Sequence, residues 1–469
     1  MANGDRFFAG AMRGACRPKR GADCRRRLLL STAMAALIAV PAVASSSNTS
    51  TSNDYTKDNI CTSNITCMSD DLKDAQYTSK SGNIFVFYDD DNGTGTILLG
   101  SKEKTAVITI DSSNYLYSNG YMTNSGASNA YGIRVDLTKD IDVSAIRSVD
   151  SSGNARSWEI LNYAGSEITG AAIYLDEGAN LDLGGDGANK IGIWIDPSGS
   201  ATGTGTLTGD VITYSGSVVS VKGDNSYGLK MDSGATLKGD IKLEGTLTLY
   251  QHDAKSKDYS GLYGVYLNGY VDGDVGVLNS GSVVAYGSGA VGMLVAGKGV
   301  SGDLTIEGSL TSQGYYSNSY SYSYSYKKKT YANAGPALIV GSDVAGGIYV
   351  SGARYDDDTG STSGRITAGT NAEAMLIDPG YGVGAYATPK SLVIGLYDDT
   401  YDPGFSLYNR GSISAAPTNV NEKLDAAVKI VGGASASLPT VLTGGLYNSG
   451  SISASATTDD SNGDNPTTS

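Results

Sequence analysis

The chain offers few side chains suited to catalysis. His252, the single histidine, sits in Gln251-His252-Asp253-Ala254-Lys255, and any serine–histidine or cysteine–histidine nucleophile would have to use it. Its surroundings read as a solvated loop. Acidic runs occur at Asp89-Asp90-Asp91, Asp356-Asp357-Asp358 and Asp398-Asp399. Acid catalysis on a glycosidic bond needs two carboxyl groups about 5–10 Å apart along a shaped groove. Consecutive aspartates in Gly- and Asn-rich surroundings are instead the ordinary furniture of turns. No catalytic residue is assigned, and the chain is expected not to be an enzyme.

Metal chemistry fares no better. Gly184-Gly185-Asp186-Gly187-Ala188-Asn189-Lys190-Ile191 approximates the glycine-rich calcium turn G-G-x-G-x-D-x-U, with Asn189 in the aspartate position. That turn works in tandem, because neighbouring turns share each ion, and here it occurs once. A structural loop is expected, with no metal and no cofactor. Cys61 and Cys67 form a C-x5-C pair. In an exported protein the simplest outcome is one small disulfide loop, with free thiols as the alternative. Zinc would need further ligands that the neighbourhood lacks.

The segment most suited to contact is different in kind. Tyr315, Tyr316, Tyr320, Tyr322, Tyr324 and Tyr326 alternate largely with serine and run into Lys327, Lys328 and Lys329. Tyrosine offers a large amphipathic area at low entropic cost, and serine adapts its hydrogen bonds. The segment reads either as a contact loop or as a low-complexity insertion that the core tolerates.

These residues must hang on strands. Between Gly292 and Gly314, Met293-Leu294-Val295, Leu304-Thr305-Ile306 and Ser309-Leu310-Thr311 each alternate inward and outward types and are separated by glycine. Three strands and three corners make one circuit. A small residue followed by apolar-x-apolar recurs at Gly132, Ala172, Gly192, Gly228, Gly264, Gly292, Ala337, Ala374 and Ala427. Gly-Asp follows at Gly209, Gly239, Gly273 and Gly302, and Gly-Ser/Thr at Gly216, Gly245, Gly281, Gly308, Gly411 and Gly450. Starts at 192, 228, 264 and 292 are spaced by 36, 36 and 28 residues, so matching strands stack while loops vary in length. For one circuit the inward set is Leu229, Met231, Ile241, Leu243, Leu247 and Leu249. Thr305, Lys242, Tyr266 and Lys230 fall on outward positions. Each aspartate of Gly-Asp is expected to cap amides of its own corner.

At the N-terminus, a lead rich in arginine precedes the apolar run Leu28–Val40 and the small-x-small site Ala42-Val43-Ala44, so residues 1–44 read as a cleaved signal peptide. Residues 45–81 form a Ser/Thr/Asn-rich leader, 82–455 the repeat, and 456–469 an acidic linker. The whole chain carries a net charge of −14; residues 1–44 hold 8 Lys+Arg and 2 Asp+Glu, so the remainder is more acidic still. Such a surface repels phosphate backbones, and no nucleic-acid partner is expected. Beyond the lead there is no apolar run of about 20 residues, hence no transmembrane helix is expected.

The basic lead and the circuits ending in N-x-G-S-I (Asn409–Ile413 and Asn448–Ile452) resemble the passenger domains of autotransporters of Gram-negative bacteria, over about residues 82–455. The resemblance implies an all-β, right-handed parallel β-helix, three-faced with irregular loops, exported to the cell surface for adhesion or aggregation. Such proteins close with a membrane β-barrel ending in an aromatic residue, whereas this sequence ends Asn465-Pro466-Thr467-Thr468-Ser469. A downstream barrel translocator is therefore a candidate partner, beside an unknown glycan or protein ligand or a second copy. A polysaccharide-degrading enzyme and a self-assembling surface-layer component are the alternative functions.

Overall fold

The computed structural model describes residues 128–142, 171–250 except 176 and 178, 260–352 except 279 and 322–325, 363–381 except 370, 390–397, 404–416 and 426–455 except 434. It also gives the backbone of six short strands between Tyr77 and Thr123; over 315–332 likewise only backbone is described. These residues belong to one compact unit, 54–156 with 168–469; the other unit, 1–53 with 157–167, lies outside the described residues.

Among the described residues every regular element is a strand, and the chain visits three ten-stranded sheets in a fixed order. One circuit serves for all. Tyr227–Met231 lies in the first sheet, Ile241–Leu243 in the second and Thr246–Tyr250 in the third; the chain then returns to the first at Tyr263–Leu267. Within each sheet a strand pairs in parallel with its counterparts one circuit before and one after, a topology compatible with a parallel β-solenoid. In the first sheet Ile193, Leu229, Val265, Met293, Leu338, Met375 and Val428 stand in one register column.

The three-strand circuit expected from the sequence gains a fourth strand. Ala235–Lys238 lies between the first and second sheets and pairs with Gly205–Thr208 and Tyr270–Asp272 in a five-stranded sheet of its own. Leu237 there is fully buried, so even this short corner obeys the inward alternation. A second difference concerns Ala172-Ile173-Tyr174-Leu175. It pairs with Asp210–Thr213 in the second sheet, not in the first-sheet series that its small-apolar-x-apolar pattern suggested. Both sheets require the same inward alternation, so the pattern does not separate them.

The six inward residues of the sample circuit are all at most 1 % exposed and belong to one continuous apolar core. Where the residue opening a first-sheet strand is glycine, as at Gly192 and Gly228, it has a steric cause. A Cβ on Gly192 would lie 2.6 Å from the carbonyl oxygen of Gly228, and one on Gly228 would lie 2.7 Å from that of Gly264. Neighbouring circuits approach there too closely for larger side chains. The Gly-Asp aspartates are not local caps as expected. Oδ1 of Asp210, Asp240 and Asp274 accepts the backbone N–H of Asp240, Asp274 and Asp303, at 2.8, 2.9 and 2.8 Å, each one circuit further on. The motif ties circuit to circuit.

Candidate functional site

His252, Asp89–Asp91, Asp356–Asp358, Asp398–Asp399, Cys61 and Cys67 lie outside the described residues, as do Tyr322 and Tyr324. Among the described residues no three His, Cys, Asp or Glu gather in a metal-holding group. The turn resembling a calcium site holds a cation of another kind. Lys190 is fully buried, and its Nζ donates to the carbonyl oxygens of Leu183 at 3.3 Å, of Gly185 at 2.9 Å and of Gly184. Burial lowers the ammonium pKa to about 8 against the pull of Asp186. Nothing in the sequence spacing marks Lys190 for this place, since a lysine beside a glycine-rich turn normally extends into water.

What remains for function is outward. On the first sheet, register places Arg134 one circuit before Trp194 and Lys230 one after. Their charged groups lie 5.2 and 5.3 Å from the indole centroid, so the ring is sandwiched between cations. Trp194 Nε1 donates to Asp232 Oδ2 at 2.6 Å, Lys230 pairs with Asp232 at 2.8 Å and Arg134 with the buried Asp196 at 2.6 Å. Arg134 also pairs with Asp136 at 3.6 Å, and the Tyr131 ring lies 4.8 Å from the indole, so both cations are neutralised within this face.

Further along the same face the surface turns apolar. Tyr227 and Tyr263 stack at 5.5 Å, and Tyr266 meets both edge-on at 5.2 and 5.3 Å. Lys230, Lys242 and Thr305 are partly exposed at their outward positions, but Tyr266 is only 5 % exposed. It belongs to a second hydrophobic cluster with Leu294, Ile339 and Leu376, against which Tyr381 packs. Outward position alone did not reveal this cover, because Tyr381 returns from a loop more than a hundred residues downstream. Burial raises the pKa of Tyr263 and Tyr266, and raises Tyr381 to about 12.

The second sheet carries an aromatic column. Tyr349 stacks on Tyr408 at 5.6 Å and Tyr408 on Tyr447 at 4.8 Å, while Tyr397 covers Tyr349 at 4.6 Å. The third sheet instead presents hydroxyls: Thr246, Ser282 and Ser309 in one register column, Thr311, Thr367 and Ser414 in the next.

The contact segment expected from the sequence leaves the stack between the third-sheet strand Ser309–Gln313 and the first-sheet strand Leu338–Val340. Tyr315–Ser321 pairs antiparallel with Tyr326–Ala332, so Tyr315, Tyr316 and Tyr320 lie on one strand and Tyr326 with Lys327–Lys329 on the other. At its base, the Gly289 N–H donates to the Asn333 carbonyl at 2.7 Å. Comparison with protein-family models, curated proteins and solved structures found no match.

Proposed function

We propose that this chain is an exported, right-handed, three-faced parallel β-helix rod that acts without catalysis, displayed on a cell surface or secreted, in adhesion, aggregation or biofilm-type contact. The carrying observation is the division of labour between inside and outside. Among the described residues the interior is dominated by one apolar cluster, whereas chemistry and loop length vary mainly outward. Each outward surface has its own character: paired charges and tyrosines on the first, stacked rings on the second, hydroxyls on the third. The strong preference of parallel-strand crossovers for the right hand supports the handedness. The arginine-rich lead, the N-x-G-S-I corners and their likeness to autotransporter passengers support export and surface display.

The test uses the purified chain on beads, scored for bead clumping and for attachment to cells and abiotic surfaces. Clumping or attachment that heat denaturation abolishes is the expected result. Inert beads would overturn the reading. So would release of oligosaccharides from a panel of acidic polysaccharides, with or without calcium, since that is enzymatic.

A further inference from the structure

We infer that the hairpin of Tyr315–Ser321 and Tyr326–Ala332 is a binding arm for an acidic polysaccharide, which narrows the contact role proposed above and rests on it. Three observations carry this. The first is its departure from the stack. The paired strands of the sheets run parallel, but this ribbon pairs antiparallel over seven residue pairs and is built from neither the core's pattern nor its residues.

The second is charge. In a chain of net charge −14, no Asp or Glu occurs between Glu307 and Asp343, and Lys327, Lys328 and Lys329 fall inside that stretch. Four lysines elsewhere are paired with carboxylates: Lys222 with Asp186, Lys230 with Asp232, Lys242 with Asp210 and Asp240, Lys429 with Glu373. The hairpin's sequence offers its lysines no such carboxylate, so it is suited to an anion from outside.

The third is register. Tyr316 stands opposite Tyr331, Asn318 opposite Lys329 and Tyr320 opposite Lys327; these three pairs share one face of the ribbon. Lys328 is opposite Ser319 and belongs to the other face, with Tyr315, Ser317, Ser321, Tyr326, Thr330 and Ala332, so that face has a single lysine. One face thus collects three tyrosines and two lysines, the latter about 7 Å apart along the strand. Aromatic rings suit the apolar faces of pyranose rings, and ammonium groups at that spacing suit carboxylates or sulfates carried along a sugar chain. Duplex nucleic acid, with one charge per about 1.7 Å of axis, carries its charges far closer together than these lysines and so meets more of the chain's acidic repulsion than a sugar chain with one carboxylate per residue.

The experiment uses the full chain with polygalacturonate and dextran sulfate as probes, and neutral dextran and an oligo-dT strand as comparators. Binding to the two acidic polysaccharides, absent for dextran and weaker for oligo-dT, is expected. K327Q/K329Q should weaken it roughly tenfold, because two charge contacts are lost, and flatten its salt dependence. K328Q should stay within about threefold, as its residue lies on the opposite face. Circular dichroism spectra and melting unchanged from the parent show that each variant folds. Equal loss in K328Q and K327Q/K329Q, tighter binding to oligo-dT, or no binding to either acidic polysaccharide overturns the assignment. Bead attachment is measured alongside. Attachment that persists without any polysaccharide binding sinks this inference alone, whereas loss of attachment by the parent chain sinks the proposed function itself.

Discussion

Asn409 and Asn448 occupy the same register position on adjacent second-sheet strands, and the Asn409 side-chain amide donates to Asn448 Oδ1 at 2.6 Å. The same amide also donates to the Ser451 carbonyl at 3.2 Å, across the corner into the third sheet. Asn409 is fully buried. This explains N-x-G-S-I in physical terms: the asparagine satisfies a corner carbonyl of the next circuit while linking to its own counterpart there.

Replacing Asn409 by leucine keeps the number and branching of side-chain heavy atoms, though with more bulk, and leaves that carbonyl without its donor. The expected loss is about 1–3 kcal/mol, read as a lower urea midpoint with unchanged slope. Asn409→Asp should be worse, because it places a carboxylate beside two oxygen acceptors. Asn409 Oδ1 is buried with no hydrogen-bond partner among the described residues, so a leucine variant as stable as the parent would show that the two donated bonds contribute no more than that oxygen costs.

Gly228 tests the close approach of circuits. A Cβ there would press on the Gly264 carbonyl oxygen at 2.7 Å and on the Leu247 side chain, so Gly228→Ala should cost about 1–3 kcal/mol. The backbone entropy that alanine normally saves is too small to offset that clash. A raised melting temperature for this variant would mean that the stack widens freely at this corner.

The parallel stack was legible because strand alternation and glycine punctuation repeat together, and Leu229, Leu243 and Leu249 are buried as their phase requires. Three features were not. The strand Ala235–Lys238 is only four residues, too short for its alternation to stand out from a turn. The partners of the Gly-Asp aspartates lie 29 to 34 residues away, a separation at which no local pattern operates. Tyr266 reads as solvent-facing by phase, and its cover depends on where a distant loop returns. Of the contact segment, composition was legible but the division of its lysines between two faces required the hairpin register.

Identical motifs need not contribute equally. Leu407 and Leu446 head the same Leu-Tyr-Asn triplet in adjacent register, yet Leu407 is 0 % exposed and Leu446 is 43 % exposed. Leu407→Ala should therefore destabilise by about 2–5 kcal/mol, as for a buried leucine, and Leu446→Ala by less than about 1.5. Chemical denaturation of the two variants measures both. Equal losses would show that Leu446 is covered in solution.

Lys190 provides a prediction with a sign. Lys190→Met removes the donor from three carbonyl oxygens and should cost about 2 kcal/mol at pH 7. The folded chain holds the ammonium at a pKa of about 8, below its ordinary 10.5, because burial disfavours the charge. Between those values the unfolded chain binds the proton that the folded chain has released, so stability rises with pH. The cost of burying the charge is fully present below pH 8 and fades toward 10.5. Raising the pH from 7 to 9.5 should therefore widen the gap between parent and Lys190→Met by about 2 kcal/mol. Staying below pH 10 avoids the opposite effect of Tyr227, Tyr263, Tyr266 and Tyr381, whose raised pKa values stabilise the fold below pH 10 and lose that stabilisation above it. Melts of both proteins at pH 7 and 9.5 suffice. A gap that stays constant or narrows would mean that the ammonium is not buried as described.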